Sequence, residues 1–128
     1  AQFFPENKCF GALLAQEIVS LKKILEEGEK PVLAILGGAK VSSKITVIEN
    51  ILDKVDHLII GGGTSFTFIK AQGGKIGNSI CEDDKIDLAL ELIERAKENN
   101  VALHLPTDVV AADNFNNEAN RKELQIFP

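Results

Sequence analysis

Two aliphatic runs, "VLAILGG" at residues 32–38 and "HLIIGGG" at 57–63, each stop on consecutive glycines, and this repeated joint constrains the fold more than any other feature. Val, Leu and Ile without polar alternation form the pattern of a strand buried on both faces of a parallel sheet. Helical spacing follows each run. Val41, Ile45, Ile48, Leu52 and Val55 recur at intervals of three and four, which predicts a helix from Val41 with one core-facing stripe. A shorter, Phe-rich helix is expected over "TSFTFIKAQ", ending at Gly73 and Gly74.

Two further helices and one strand complete the pattern. Residues 7–27 place Phe10, Leu14, Ile18, Leu21 and Leu25 on one face, with Gly28 as the stop. In "EDDKIDLALELIERAKENN", Ile86, Leu90, Ile93 and Ala96 form a stripe, with acids in the first turn and Lys97 near the end to suit the helix dipole. "VALHLPTDVV" reads as a third strand ending near Pro106, and the polar "ADNFNNEANRKELQ" reads as irregular. The order predicts an α/β fold of three layers: a parallel sheet with helices on both faces, built by right-handed crossovers. Three such strands make half of a doubly wound, Rossmann-like domain. Residues 1–29 read as a connecting helix region and 30–128 as a partial nucleotide-binding domain.

Composition narrows the function. The 128 residues suit one domain, and 45% hydrophobic against 26% charged residues excludes a disordered chain. A net charge of −5 with only Arg95 and Arg121 as guanidinium groups argues against a nucleic-acid surface. No apolar stretch approaches a membrane span. Cys9 and Cys81 lie far apart in no metal-binding pattern, which suits a reducing cytoplasm and inert thiols. The opening "AQFFPENKCF" lacks a charged leader before an apolar region, so no signal peptide is expected. The absence of Met suggests a chain processed or cut from a longer one.

Ligands of open parallel sheets sit beyond the carboxyl ends of the strands, where both glycine clusters fall. At Gly37 and Gly38 the backbone can turn tightly and bring amides close to a guest. A helix starting near Lys40 would aim unpaired N–H groups at the same place. Lys40 and Lys44, four apart, would share one helical face and repel slightly unless an anion lay between them. A polyphosphate fits that description. The bland alternative, an exposed lysine pair after a simple turn, stands beside it, and neither GxxxxGK[ST] nor GxGxxG is present.

Gly61, Gly62 and Gly63 would offer a flat surface to a planar ring, with Phe66, Ile80 or Phe115 as walls; core or loop packing is the rival reading for each. His57 and His104 read as structural, since no carboxylate or thiol is spaced to pair with them. Acids at 82–84 are expected in a first helical turn, and no metal site is assigned there.

"LAILGGAKVSSKI", "DKVDHLIIGGGTSFTFIKAQGGKIGNSI" and "LHLPTDVVAADNF", in that order, closely resemble the phosphoglycerate kinase family over nearly the whole chain. The part resembled is the first half of the C-terminal, nucleotide-binding domain with the helix before it. The resemblance implies reversible phosphoryl transfer between 1,3-bisphosphoglycerate and ADP in glycolysis, with Mg²⁺, in the cytoplasm. It implies that Gly37, Gly38, Ala39 and Lys40 lie along the nucleotide phosphates, Lys40 as the catalytic lysine on the group in flight. Lys44 would hold the phosphate chain, Gly62 and Gly63 would lie under the adenine, and Ile80 and Phe115 near the base.

Departures from the family pattern are Thr64 where Met is usual, Thr107 where Val is common, and Ser43 where many members carry Asp. The family's "NGPxGxFE" and "GGGD" segments, with the ribose carboxylate and the metal-binding Asp, are not in this sequence. Nor is the N-terminal domain with its phosphoglycerate site, so turnover by this chain alone is not expected. The implied partners are ATP or ADP and the rest of a kinase chain. Phe3, Phe4 and Phe10, with an open sheet edge, suggest self-association. The alternative is a non-catalytic nucleotide- or anion-binding or self-associating α/β module; a dehydrogenase is disfavoured by the missing GxGxxG.

Overall fold

The structure, a computed structural model, describes residues 9–127. Helix α1 (Ala12–Glu27) leads to strand β1 (Leu33–Gly38), helix α2 (Ile45–Ile51), strand β2 (His57–Gly61) and helix α3 (Gly62–Ala71). A short 3-10 turn at Asp83–Lys85 enters helix α4 (Ile86–Glu98), followed by strands β3 (Ala102–His104), β4 (Asp108–Ala112) and β5 (Arg121–Gln125). Strands β1, β2 and β3 form a parallel sheet in that order, while β4 and β5 form a separate antiparallel hairpin.

The register places Ala34, Leu58 and Leu103 side by side on one face, with Leu36 beside Ile60. Against this face pack Ile48 and Leu52 from the α2 segment, Phe68 from α3, and Ala89, Leu92, Ile93 and Ala96 from α4. Leu58, Ile60 and Phe68 are fully buried, so the aliphatic alternation of the strands is converted into a core on this side. The sheet and its helices are the α/β arrangement the sequence predicts.

The opposite face corrects the expectation of strands buried on both sides. Leu33 is 52% and Ile35 69% exposed, because among the described residues α2, α3 and α4 all contribute to the core of the other face. An unbroken aliphatic run records what a strand can tolerate, not which layers lie over it. Helix α1 behaves similarly: it starts at Ala12 rather than before it, and none of its residues is buried. Leu14, Ile18 and Leu21 are exposed, and Leu25 alone of its stripe reaches the core cluster. Gly28 ends it, donating its N–H to Ile24 O at 3.1 Å.

Three other expectations shift. Helix α2 begins at Ile45, not Val41, although the stripe of Val41, Ile48, Leu52 and Val55 is buried as predicted. In α4 the buried stripe is Ala89, Leu92, Ile93 and Ala96, and Leu90 faces solvent; the charged residues leave two adjacent stripes open to choice. The stretch 101–110 is two strands rather than one, broken at Leu105 and Pro106, and the polar tail is the second arm of a hairpin. All of β5 is exposed, so it lacks the alternation that reveals a half-buried strand. Buried Ile126 secures the hairpin: its N–H donates to Thr107 O at 3.0 Å and its carbonyl accepts from Lys75 N–H at 2.9 Å.

Candidate functional site

The two glycine joints touch. Gly38 and Gly62 form a parallel bridge that extends β1 and β2 by one residue pair. A Cβ on Gly63 would lie 2.8 Å from Ala39 O, and one on Gly62, whose φ is +61°, would lie 3.0 Å from Gly38 O. Backbone lies on backbone here, so neither position has room for a side chain. Gly62 and Gly63 are therefore accounted for by packing against the first loop. Gly37 differs: nothing lies closer than 4.0 Å to where its Cβ would be, and the residue is exposed.

After Gly38 the chain passes through Ala39 and exposed Lys40 into a turn, closed by Lys44 N–H donating to Val41 O at 2.7 Å and Ser43 Oγ donating to Lys40 O at 2.8 Å. Lys40 and Lys44 thus flank a turn and do not share a helical face. Helix α2 starts only at Ile45 and is seven residues long, which removes the expected helix terminus at Lys40 as an anion-binding device. Fully buried Val41 anchors the turn to the core. Lys44 is half-buried, and its Cε lies 3.3 Å from the point where a Gly38 Cβ would be. A side chain at Gly38 would therefore press on the lysine stem.

The sequence reading missed the residue that holds this turn. Glu82 accepts from the Ser42 amide at 2.9 Å and from the Ser42 hydroxyl at 2.6 Å. The Ser42 hydroxyl first, then the Ser42 and Val41 amides and the charge of Lys40, hold the Glu82 carboxyl below its ordinary range. The next two acids are also engaged, Asp83 with Lys70 at 2.8 Å and Asp84 with Lys85 at 2.9 Å. A 40-residue separation and a sequence context already explained by the helix dipole hid the role of Glu82.

The first turn of α3 brings two hydroxyls under the loop. Ser65 Oγ donates to Gly62 O at 2.7 Å, whereas Thr64 Oγ1, fully buried, has no hydrogen-bond partner. Thr64 Oγ1 is 3.1 Å from the point a Gly38 Cβ would occupy, the same point that Lys44 Cε approaches.

The expected ring walls differ in exposure. Ile80 is 59% exposed in the loop before Cys81, and Phe115 is fully exposed at the hairpin tip. Phe66 lines a cleft of about 730 Å³ with Ile76, Val109, Ala111 and Leu124, between α3 and the hairpin. A second, shallower groove of about 570 Å³ runs along the uncovered sheet face past Leu33, His57, Ile59, His104 and Pro106. There His57 Nδ1 and His104 Nε2 are 3.1 Å apart with the rings stacked. Each histidine, read as partnerless in the sequence, has the other as partner.

At the opposite end of the sheet, Asp56 accepts from Val32 N–H at 2.7 Å and from Lys30 Nζ at 3.0 Å, joining the entrances of β1 and β2. The amide of Val32 first, and the Lys30 ammonium second, hold its carboxyl below the usual range. Cys81 is half-buried and free, and burial pushes its thiol up, so it lacks the thiolate character of a nucleophile.

Known proteins resemble this chain in sequence and fold. A family model described as phosphoglycerate kinase matches residues 1–127. The phosphoglycerate kinase of Coxiella burnetii (strain RSA 493 / Nine Mile phase I) is 50% identical over 111 residues, covering 87% of this chain and 28% of that protein. That of Clostridium botulinum (strain Hall) is 52% identical over 118 residues, covering 92% and 29%. The solved structure of phosphoglycerate kinase from Coxiella burnetii aligns with a TM-score of 0.85 at 48% identity, over 91% of this chain and 30% of that one. A crystal structure of the enzyme from Pyrococcus horikoshii OT3, at 24% identity and a TM-score of 0.70, shares the fold. The chain spans less than a third of the length of these relatives.

Proposed function

Because the chain belongs to the phosphoglycerate kinase family, we propose that it carries the phosphate side of an ATP/ADP site serving phosphoryl transfer between 1,3-bisphosphoglycerate and ADP. The observation that supports this reading is the contact of the two glycine joints at the carboxyl rim of the sheet, with Lys40 and Lys44 leaving the same loop.

In this reading Gly37, Gly38 and Ala39 run along the phosphates. Exposed Lys40 is free to follow the transferring group and neutralise charge on its oxygens, the part such a reaction requires of a protein. Lys44, beside Gly38, holds the phosphate chain. Gly62 and Gly63, besides packing on the first loop, present the adenine side, and Ile80 and Phe115 lie near the base. Residues 1–29 act as the connecting helix region and 30–128 as the partial nucleotide domain.

Mg²⁺ enters with the nucleotide, where it would screen the phosphate charge. The described residues do not fit a metal site of their own: they bring no three His, Cys, Asp or Glu side chains together, and Glu82, Asp83 and Asp84 are engaged by Ser42, Lys70 and Lys85. No step is therefore assigned to a protein-held metal here.

Partners in this reading are ATP or ADP and the rest of a kinase chain, in the cytoplasm; no described helix is long and apolar enough to cross a membrane. A second reading, a self-associating non-catalytic module, is favoured by the exposure of Ile35 and of the α1 stripe. Phe3 and Phe4, which the sequence linked to it, lie outside the described residues, and Phe10 is exposed. Titration calorimetry with Mg·ATP tests the first reading. Lys44→Ala is expected to bind at least about tenfold more weakly than Lys54→Ala or Lys97→Ala, and equal affinities for all three would overturn it.

A further inference from the structure

A buried hydroxyl without a partner is rare in a folded protein, because it has given up water and received nothing. Among the described residues Thr64 Oγ1 is such an atom. It is neither in the hairpin cleft nor on the uncovered sheet face. It lies beneath Gly38, close to the same empty point that the Lys44 stem approaches from its own side.

We propose that Thr64 is a positioning residue for Lys44: its hydroxyl is the protein-side acceptor for the lysine ammonium when that group is drawn onto a nucleotide phosphate. The inference rests on the nucleotide site proposed above. An ammonium carries three N–H donors and no acceptor. Phosphate oxygens can take those that face the ligand, and the donor facing back toward the loop then needs an oxygen inside the protein. Lys44 Cε, at 3.3 Å, and Thr64 Oγ1, at 3.1 Å, border the same point beside Gly38, so the lysine end and the hydroxyl share one gap in which rotation about the terminal side-chain bonds would let donor meet acceptor. A Cβ at Gly38 would crowd that gap, at 3.1 Å from the hydroxyl and 3.3 Å from the lysine stem. The hydroxyl is unpaired in the empty chain and paired in the loaded one, so its stability cost in the first state becomes selectivity for the second.

The proposal makes stability and affinity move in opposite directions. Thr64→Val keeps the shape and removes the oxygen. It is expected to unfold at a temperature at or above that of the unsubstituted chain, yet to bind Mg·ATP about tenfold more weakly by calorimetry. Thr64→Ser restores the hydroxyl and should bind within about twofold of the unsubstituted chain. In a Lys44→Ala background Thr64→Val should cause no further loss, because the acceptor then has no donor.

Unchanged affinity for Thr64→Val, or an equal loss with and without Lys44, overturns the positioning role while leaving the site reading intact. Lys44→Ala binding as tightly as the unsubstituted chain, or no binding by the unsubstituted chain at millimolar Mg·ATP, overturns the nucleotide site and this inference with it.

Discussion

Ser42 and Glu82, forty positions apart, are joined twice: the serine amide and hydroxyl both donate to one carboxylate, at 2.9 and 2.6 Å. This pair ties the turn that carries Lys40 and Lys44 to the segment entering α4. The loop geometry of the candidate site therefore depends on an ionised acid that belongs to a different part of the chain.

Acid should loosen that tie. The Glu82 carboxyl is held below its ordinary 4.5, first by the Ser42 hydroxyl. A group depressed in the folded state contributes fully above its unfolded value and loses that contribution as pH falls through the lower folded value. Glu82→Gln should cost about 1 kcal/mol at pH 7, discounted for the carboxylate being partly in water. The gap between variant and unsubstituted chain should narrow as pH falls below 4.5. Urea melts at pH 7 and pH 3.5 check this, and a gap that persists at low pH contradicts it.

Asp56 makes a second such tie at the entrance of the sheet, accepting from both Val32 N–H and Lys30 Nζ. The amide is the stronger cause of its lowered pKa, and the Lys30 side chain is 78% exposed. Asp56→Ala should consequently lower Tm more than Lys30→Ala, whose exposed ion pair contributes little. As with Glu82, the difference belongs to pH above 3.8 and fades as the carboxyl protonates below it. Thermal melts that show equal losses for the two variants would mean that the ion pair, not the amide, anchors β1.

The uncovered sheet face should make the chain associate. Leu33 and Ile35 are more than half exposed, and apolar surface of this kind is favourable to remove from water. Sedimentation velocity over rising concentration should show species larger than a monomer, and Ile35→Lys should shift the distribution toward monomer. A clean monomer at high concentration, or identical behaviour of the variant, counts against an interface on this face.

The glycine-ended strands, α2's buried stripe and the lysine loop were legible in the sequence because their signals are local: aliphatic runs, three-and-four spacing, a turn after Gly38. What escaped depends on distance or on partners. Glu82 acts on Ser42 across forty residues, His57 meets His104 across two strands, and β5 has no buried residue to mark it as a strand. The helix expected from Val41 starts later, because residues 41–44 first form a turn closed by Lys44 N–H on Val41 O before α2 begins at Ile45. Burial of both faces of β1 was over-read, since a strand's composition cannot name the layer that covers it.

Gly37 and Gly63 separate the two tasks a glycine can have at this rim. At Gly63 a methyl group would sit 2.8 Å from Ala39 O and 3.1 Å from Ala39 Cα, atoms of the backbone that cannot swing aside. Gly63→Ala must push the first loop away from α3 and should cost about 1–3 kcal/mol of stability, as overpacking does. At Gly37 the same methyl finds nothing closer than 4.0 Å, so Gly37→Ala should leave the urea midpoint near that of the unsubstituted chain, or raise it slightly by restricting the unfolded backbone. If phosphates run along this exposed edge, the Gly37 methyl stands in their path, and Mg·ATP affinity should fall although stability does not. The pair of measurements discriminates: a stable Gly37→Ala with undiminished nucleotide affinity would remove Gly37 from the site, and an undisturbed Gly63→Ala would mean the two joints are less tightly apposed than their geometry requires.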